Sequence, residues 1–236
     1  MPRPDGRLPS QLRPTVIERR ANPYAEGSCL IRVGGTLVHC TASVEQGVPG
    51  FKKGSGEGWV TAEYAMLPRA TSERTDRERR GPGGRTYEIQ RLIGRSLRAA
   101  MRTMAFGEYT IKVDCDVLVA DGGTRCASIT GACIALHDAC AYIAERTGQP
   151  SPFGRLVAAV SVGKIAGEHR LDLAYLEDRD AEVDANVVML EPHDFVEVQG
   201  TGEHGTFNRG ELDALLDLAT TGIHELFALQ RTALSA

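Results

Sequence analysis

The sequence predicts an α+β fold of two similar halves, divided near residue 106, and three observations predict it. Apolar residues recur with period two in several short runs and with helical spacing in three longer ones. Their order is strands, helix, strands, helix, strands, helix. Glycine pairs and prolines punctuate the boundaries. The 236 residues are 42% apolar and 25% charged, enough for one large domain or a tightly fused pair of half-domains and too apolar for a disordered chain. No internal repeat is strong enough to prove duplication.

Taken in order, residues 1–22 read as an extended arm. Apolar runs at 28–33 and 36–44 meet at Gly34-Gly35, a hairpin signal. Residues 48–57 are loop-like, and a short apolar stretch runs from Trp59 to Met66. Pro68 then opens an arginine-rich segment that ends in Gly81-Pro82-Gly83-Gly84 and is expected to order only on a ligand. A helix is predicted over 87–104, with Ile89, Leu92, Ile93, Leu97, Ala100, Met101 and Met104 on one stripe. Arg91, Arg95, Arg98 and Arg102 share another face, which costs stability unless anions or acids answer it.

Residues 109–120 alternate as a strand that Asp121-Gly122-Gly123 breaks. From Thr124, the seam Cys126, Ile129, Cys133, Leu136, Cys140 and Ile143 predicts a buried helix closing near Gly148. Strands are expected at 156–162 and 170–175 around a turn at Gly167, and at 186–190 and 195–199 around residues 191–194. A last helix over 209–231 is announced by Asn208 and Glu211, an Asn-x-x-Glu cap.

Net charge is −4, unlike a wholly basic nucleic-acid binder. Yet residues 69–102 hold ten arginines against four acids and no lysine. A confined basic zone on an acidic body suits a local polyanion site, and the planar guanidinium suits bidentate phosphate contacts. A solvated charged loop and helix face is the alternative. The six cysteines form no C-x-x-C pair and each lies in an apolar run, so buried free thiols are expected rather than a zinc site. The first 20 residues lack the apolar core of a secretory signal. No run of about 18 apolar residues occurs either. A cytoplasmic chain without a membrane span is therefore expected.

Three clusters carry chemistry. In Asp121-Gly122-Gly123-Thr124-Arg125 a strand enters a helix through two glycines. Free amides at the helix start, the Thr124 hydroxyl and the Arg125 charge suit a single phosphate, although alone Asp-Gly-Gly is more often a plain turn. Gly83-Gly84-Arg85-Thr86 repeats the arrangement before another helix, so two such mouths can clamp one phosphate. Residues 177–184 hold five acids between apolar strands. They suit Mg²⁺ held through one or two carboxylates, or else form a solvated acidic hairpin. Asp172 lies close by and spacing does not rank it. The six histidines show no metal or triad spacing, and no Gly-x-Ser-x-Gly elbow occurs.

Long runs of the chain resemble ribonuclease PH, the phosphorolytic 3′-to-5′ exoribonuclease family. They are 56–69 (GEGWVTAEYAMLPR), 84–95 (GRTYEIQRLIGR), 114–125 (DCDVLVADGGTR), 158–163 (AAVSVG) and 197–201 (EVQGT). In order they span nearly the whole chain, from Pro4 to Leu234. The resemblance implies a doubled β-α unit like ribosomal protein S5 domain 2. It implies that Arg85 and Gly123-Thr124-Arg125 bind the attacking inorganic phosphate. Asp178 and Asp184, with Arg125, would serve the chemical step, the two aspartates also holding Mg²⁺. Arg69, Arg74 and Arg77 would contact RNA. It further implies tRNA 3′ ends as substrate and a homohexamer arranged as a trimer of dimers. Two departures stand out. Cys126 replaces a usual threonine, from which a weaker or more oxidation-sensitive phosphate site is expected, and Tyr87 stands where glutamine or methionine is more familiar. The competing readings are a catalytically inactive RNA-binding ring subunit, as in exosome cores, and a hydrolytic metal nuclease.

Overall fold

A computed structural model describes residues 3–78 and 81–236. The first sheet is assembled from β1 (Thr15–Arg19), β2 (Gly27–Val33), β3 (Thr36–Gln46), β4 (Trp59–Met66) and β5 (Tyr109–Val119), in the order β1-β2-β3-β5-β4. Only the β4–β5 pairing is parallel. Helix α1 (Gly84–Ala100) is the crossover that parallel pairing requires. The β2–β3 hairpin turns at Gly34, where φ is +56°.

Helix α2 (Thr124–Thr147) then leads to the second sheet. That sheet comprises β6 (Val157–Ile165), β7 (Glu168–Leu171), β8 (Val183–Leu190) and β9 (Asp194–Thr201), ordered β7-β6-β8-β9 and antiparallel throughout. Helix α3 (Tyr175–Arg179) lies between β7 and β8, and α4 (Arg209–Ser235) closes the chain. The predicted α+β class is observed. The passage between sheets falls after β5.

One apolar core runs through both sheets, because α2 packs on β2, β3 and β5 and also on β6. Its predicted seam is buried together with most of its other residues. Helix α2 is long and apolar enough to cross a membrane, but 83% of its most apolar window lies inside the fold, as befits a core helix. All six cysteines are free and buried, as expected. Ile89, Leu92, Ile93 and Leu97 seat α1, each fully buried aliphatic contributing about 1.5–3 kcal/mol. Asn208 caps α4 by accepting from the Glu211 amide at 3.1 Å, and Glu211 reciprocates at 2.9 Å.

Several expectations need correction. The arm contains strand β1, which pairs with β2. Helix α1 begins at Gly84 and ends at Ala100, because Met101 turns extended and bridges Phe153. The strand expected over 170–175 stops at Leu171. Asp172 takes φ +54°, and Glu177 then caps the Ala174 amide to start α3. Apolar Leu171 and Leu173 imitate strand alternation across that break. Strand β8 starts at Val183, earlier than expected. The acidic run is therefore no hairpin: Asp178 sits on α3 and Asp184 on β8.

The arginine row on α1 is answered piecemeal. Arg95 pairs with Glu197, and Arg102 donates to the Ser151 carbonyl. Arg98 lies 4.7 Å over the Trp59 ring and donates to the Val60 carbonyl at 3.0 Å.

Candidate active site

A cleft of about 530 Å³ opens where the start of α2 faces α3, β8, β9 and the first turn of α1. Arg85, Gly123, Thr124, Arg125, Asp178 and Asp184 all line it. Six positions separated by up to about a hundred residues in sequence thus meet in one concavity.

One wall is the loop into α2. Gly122 and Gly123 have φ of +74° and +66°, a left-handed pair that side chains disfavour. A Cβ on Gly122 would lie 2.6 Å from the Leu173 carbonyl oxygen and 2.8 Å from the Ala174 carbonyl carbon, so the loop packs directly on the approach to α3. The carbonyls of the loop are anchored behind it: Arg13 donates to Asp121 and Gly122, and the Thr36 hydroxyl donates to Gly122 at 2.7 Å. A trans peptide points its N–H opposite its C=O. Tying down the carbonyls of residues 121 and 122 therefore turns the Gly122 and Gly123 amides away from Arg13. Among the described residues neither amide has an acceptor. Free amides at the start of a helix are an anion cradle.

The loop is also held from the side. The Thr124 hydroxyl shares a 2.9 Å hydrogen bond with the Tyr64 hydroxyl of β4. Arg125 donates to Gln199 at 3.0 Å and to Glu88 at 3.3 Å. That fixes one edge of its guanidinium and leaves the rest of the fork to a ligand. Arg85 makes no hydrogen bond or ion pair among the described residues and leaves a cation at the cleft rim.

The other wall is acidic. Burial raises the Asp178 carboxyl above its ordinary range, and Arg85 and Arg125 pull it back. Burial and the neighbouring Asp178 charge push Asp184 up to about 6. One Asp184 carboxylate oxygen, Oδ1, is buried without a hydrogen-bond partner. An orphaned carboxylate oxygen beside a second carboxylate fits a divalent cation that takes one or two protein oxygens and the rest from water or phosphate. Among the described residues no group of three or more His, Cys, Asp and Glu side chains is arranged as a metal cage.

Asp172 is engaged elsewhere. It is buried against Arg13, whose guanidinium holds its carboxyl below the usual range despite desolvation. Arg69, Arg74 and Arg77 do not line the cleft. Arg69 donates to the Ser72 carbonyl and Arg74 pairs with Asp76, while Arg79 and Arg80 lie outside the described residues. Cys126 does not line it either. Its thiol is buried beneath the loop, donates to Asn186 at 3.2 Å and is pushed well up by desolvation.

Sequence reasoning missed Glu88, Gln199, Tyr64 and Asn186. Glu88 was within reach, since it lies one helical turn from Arg85. Gln199 alternates with Glu197 and Thr201 along β9, which gives them one face. Tyr64 and Asn186 carry no local signal, because only the tertiary fold brings them to the loop.

The "3' exoribonuclease family, domain 1" profile matches residues 11–141, and the domain 2 profile matches 155–222. Proteins called Ribonuclease PH from Mycobacterium sp. strains KMS, JLS and MCS are each 56% identical over 238 residues. Each alignment covers 99% of this chain and 92% of the relative. Among solved structures, rice (Oryza sativa) Rrp46 superposes with a TM-score of 0.81 at 21% identity, covering 99% of this chain and 100% of that one. The Archaeoglobus fulgidus exosome with RNA bound to the active site gives 0.80 at 22% identity, covering 95% and 91%. With both family domains matched in order around one cleft of arginines, loop amides and carboxylates, the chain belongs to the 3′ exoribonuclease family, on the ribonuclease PH branch.

Proposed function

We propose that the chain is a phosphate-dependent 3′-to-5′ exoribonuclease that trims RNA 3′ ends, tRNA precursors above all, and releases nucleoside 5′-diphosphates. One observation carries the reading: an anion cradle and a pair of desolvated carboxylates share a single cleft.

Phosphorolysis must bring an anionic nucleophile against an anionic diester. Inorganic phosphate would sit on the Gly122 and Gly123 amides, the Thr124 hydroxyl and the Arg85 and Arg125 guanidiniums, which oppose its charge and aim one oxygen. That oxygen attacks the last diester phosphorus. The bond to the penultimate 3′-oxygen breaks, the shortened RNA recovers its 3′-hydroxyl, and the terminal nucleotide leaves as the diphosphate. Positioning and electrostatics suffice for such a transfer, without a covalent protein intermediate. Asp178 and Asp184 would hold Mg²⁺, whose chemistry when bound is to offset the charge that builds on the phosphoryl oxygens. Arg69, Arg74 and Arg77 would lead the RNA strand to the cleft. The reading includes a homohexamer, a trimer of dimers, and a cytoplasmic setting, in keeping with six unpaired buried thiols.

The test is turnover of an RNA with a 3′ extension, with and without inorganic phosphate, and identification of the product. Phosphate-dependent release of nucleoside diphosphates is expected. Monophosphates released without phosphate would mean a hydrolytic nuclease, and RNA binding without any turnover an inactive ring subunit.

A further inference from the structure

The arm before β1 carries Arg3, Arg7 and Arg13 among Pro4, Pro9 and Pro14. Proline donates no backbone hydrogen bond, so such a segment is poorly suited to a sheet. The arm lies instead against the second half of the molecule, where the Leu171 amide donates to the Pro9 carbonyl at 2.8 Å. Arg3 and Arg13 are each only 4% exposed, an unusual depth for charged side chains.

Both are bound in forked geometry. Arg13 donates from Nε and Nη2 to the two carboxylate oxygens of Asp172, at 3.0 and 2.7 Å, and its backbone amide adds a 2.7 Å bond to Oδ2. Its Nη1 and Nη2 also hold the Asp121 and Gly122 carbonyls behind the phosphate loop. Arg3 donates from Nε and Nη2 to Glu177 at 2.9 and 2.8 Å, and Arg170 adds a 3.1 Å bond to the same carboxylate. Arg3 and Arg7 both reach the Asp172 carbonyl, at 2.9 and 3.1 Å. Asp172 holds a left-handed backbone rare outside glycine, with its amide bonded to Ser161 at 2.7 Å and its carbonyl and carboxylate held by the arm. Glu177 adjoins Asp178 on a five-residue helix that has little internal stability of its own.

We propose that the arm is a positioning strap for the two walls of the cleft. Arg13 aims the loop amides at phosphate by anchoring their carbonyl partners, and Arg3 fixes the helix that presents Asp178. The strap rests on the phosphorolytic reading for its effect on turnover, though not for its effect on the protein itself.

Two full-length variants separate the roles. Arg13→Lys keeps the charge but gathers its donors on one nitrogen, which cannot span both Asp172 oxygens and the two loop carbonyls as the guanidinium fork does. Arg3→Gln removes the fork on Glu177. Both are first checked for folding by circular dichroism and thermal unfolding. For Arg13→Lys the KM for inorganic phosphate should rise by about tenfold or more, with RNA affinity held within about twofold. For Arg3→Gln the Mg²⁺ concentration giving half-maximal rate should rise by about tenfold, with the phosphate KM nearly unchanged. Hydrogen exchange should quicken at amides 121–125 in the first variant and at 174–179 in the second.

A merely structural arm would lower the melting temperature yet leave phosphate KM, Mg²⁺ requirement and exchange in these segments as in the wild type, and that result overturns the proposal. Should Arg13→Lys not fold, Arg3→Gln decides by the same measures. If the wild type turns over RNA without phosphate, the phosphorolytic reading falls. The strap then stands or falls on the exchange rates alone.

Discussion

The arginines of the cleft and those of the segment after β4 stand in different settings. In the cleft, the Arg125 side chain is 17% exposed and is already held by Glu88 and Gln199. In the segment after β4, the Arg74 side chain is 58% exposed and pairs with Asp76, which is 95% exposed. A cation held before its ligand arrives loses little freedom on binding and acts in a medium less screened than water. An exposed arginine paired with a near neighbour in sequence is screened by salt and gives up rotamer freedom when it binds. The cleft should therefore show large effects from single residues, and the segment small effects that accumulate.

The largest effect is expected at the acidic wall. Asp178→Asn or Asp184→Asn should lower turnover by about a hundred- to a thousand-fold while the protein stays folded, since volume is kept and charge is lost. Asp184 makes the point doubly. Its folded-state pKa of about 6 lies above the ordinary value, so the folded protein tolerates the ionised form poorly. Stability should fall as pH rises from about 4 through 6, and the penalty should be complete above that. Without Mg²⁺, Asp184→Asn should then be more stable than the wild type at pH 8, by about 1–2 kcal/mol after allowing for partial solvation, and nearly equal at pH 4. Urea unfolding at the two pH values checks this, and an equal gain at both would remove the carboxyl as its source. Wild-type activity should rise across about pH 6, with that limb moving to lower pH as Mg²⁺ is raised.

Next comes the phosphate wall. Arg125→Ala should raise the KM for phosphate by about ten- to a hundred-fold, the size of a lost charge-assisted hydrogen bond, while RNA binding persists. Steady-state rates against phosphate concentration, with RNA affinity measured separately, test it. An unchanged phosphate KM would take Arg125 out of the cradle and erase the contrast between the two settings.

Much of this cleft was legible in the sequence. The glycine pair before Thr124 announced a strand-to-helix loop, because few other residues accept consecutive positive φ angles. The acid-rich run after it suited either a cation site or a solvated hairpin, and only the family resemblance singled out Asp178 and Asp184. What the sequence did not reveal was how Asp178 is presented. Leu171 and Leu173 have a strand's alternation, and only the bonds from Arg13 and Arg3 show why the chain breaks at Asp172 and winds into α3. Arg125 was legible as a charge but not as a held charge, since Glu88 and Gln199 lie 37 and 74 residues away from it. Local pattern reports what an element is. Contacts across the fold decide where its end points.

The smallest effect per residue belongs to the exposed segment, and its signature is salt rather than turnover. Arg69, Arg74 and Arg77 stand outside the cleft: Arg69 donates to the Ser72 carbonyl, Arg74 pairs with Asp76, and Arg77 makes no hydrogen bond or ion pair among the described residues. If each meets one phosphate of a single-stranded RNA, each contact should add about 0.7 to the slope of log affinity against log salt. Replacing all three by alanine should flatten that slope by about two units and weaken binding of a tRNA-sized substrate. Turnover of an oligonucleotide short enough to occupy only the cleft should change little, since Arg85, Arg125 and the loop amides remain. The two settings predict opposite patterns. Arg125→Ala should alter phosphate use on every substrate, with only a minor change in the RNA salt slope. The triple variant should alter the slope and leave phosphate use alone. Binding measured over a series of salt concentrations for both variants separates them. An unaltered slope in the triple variant would make these arginines a solvated surface and would send the RNA path along another face of the molecule.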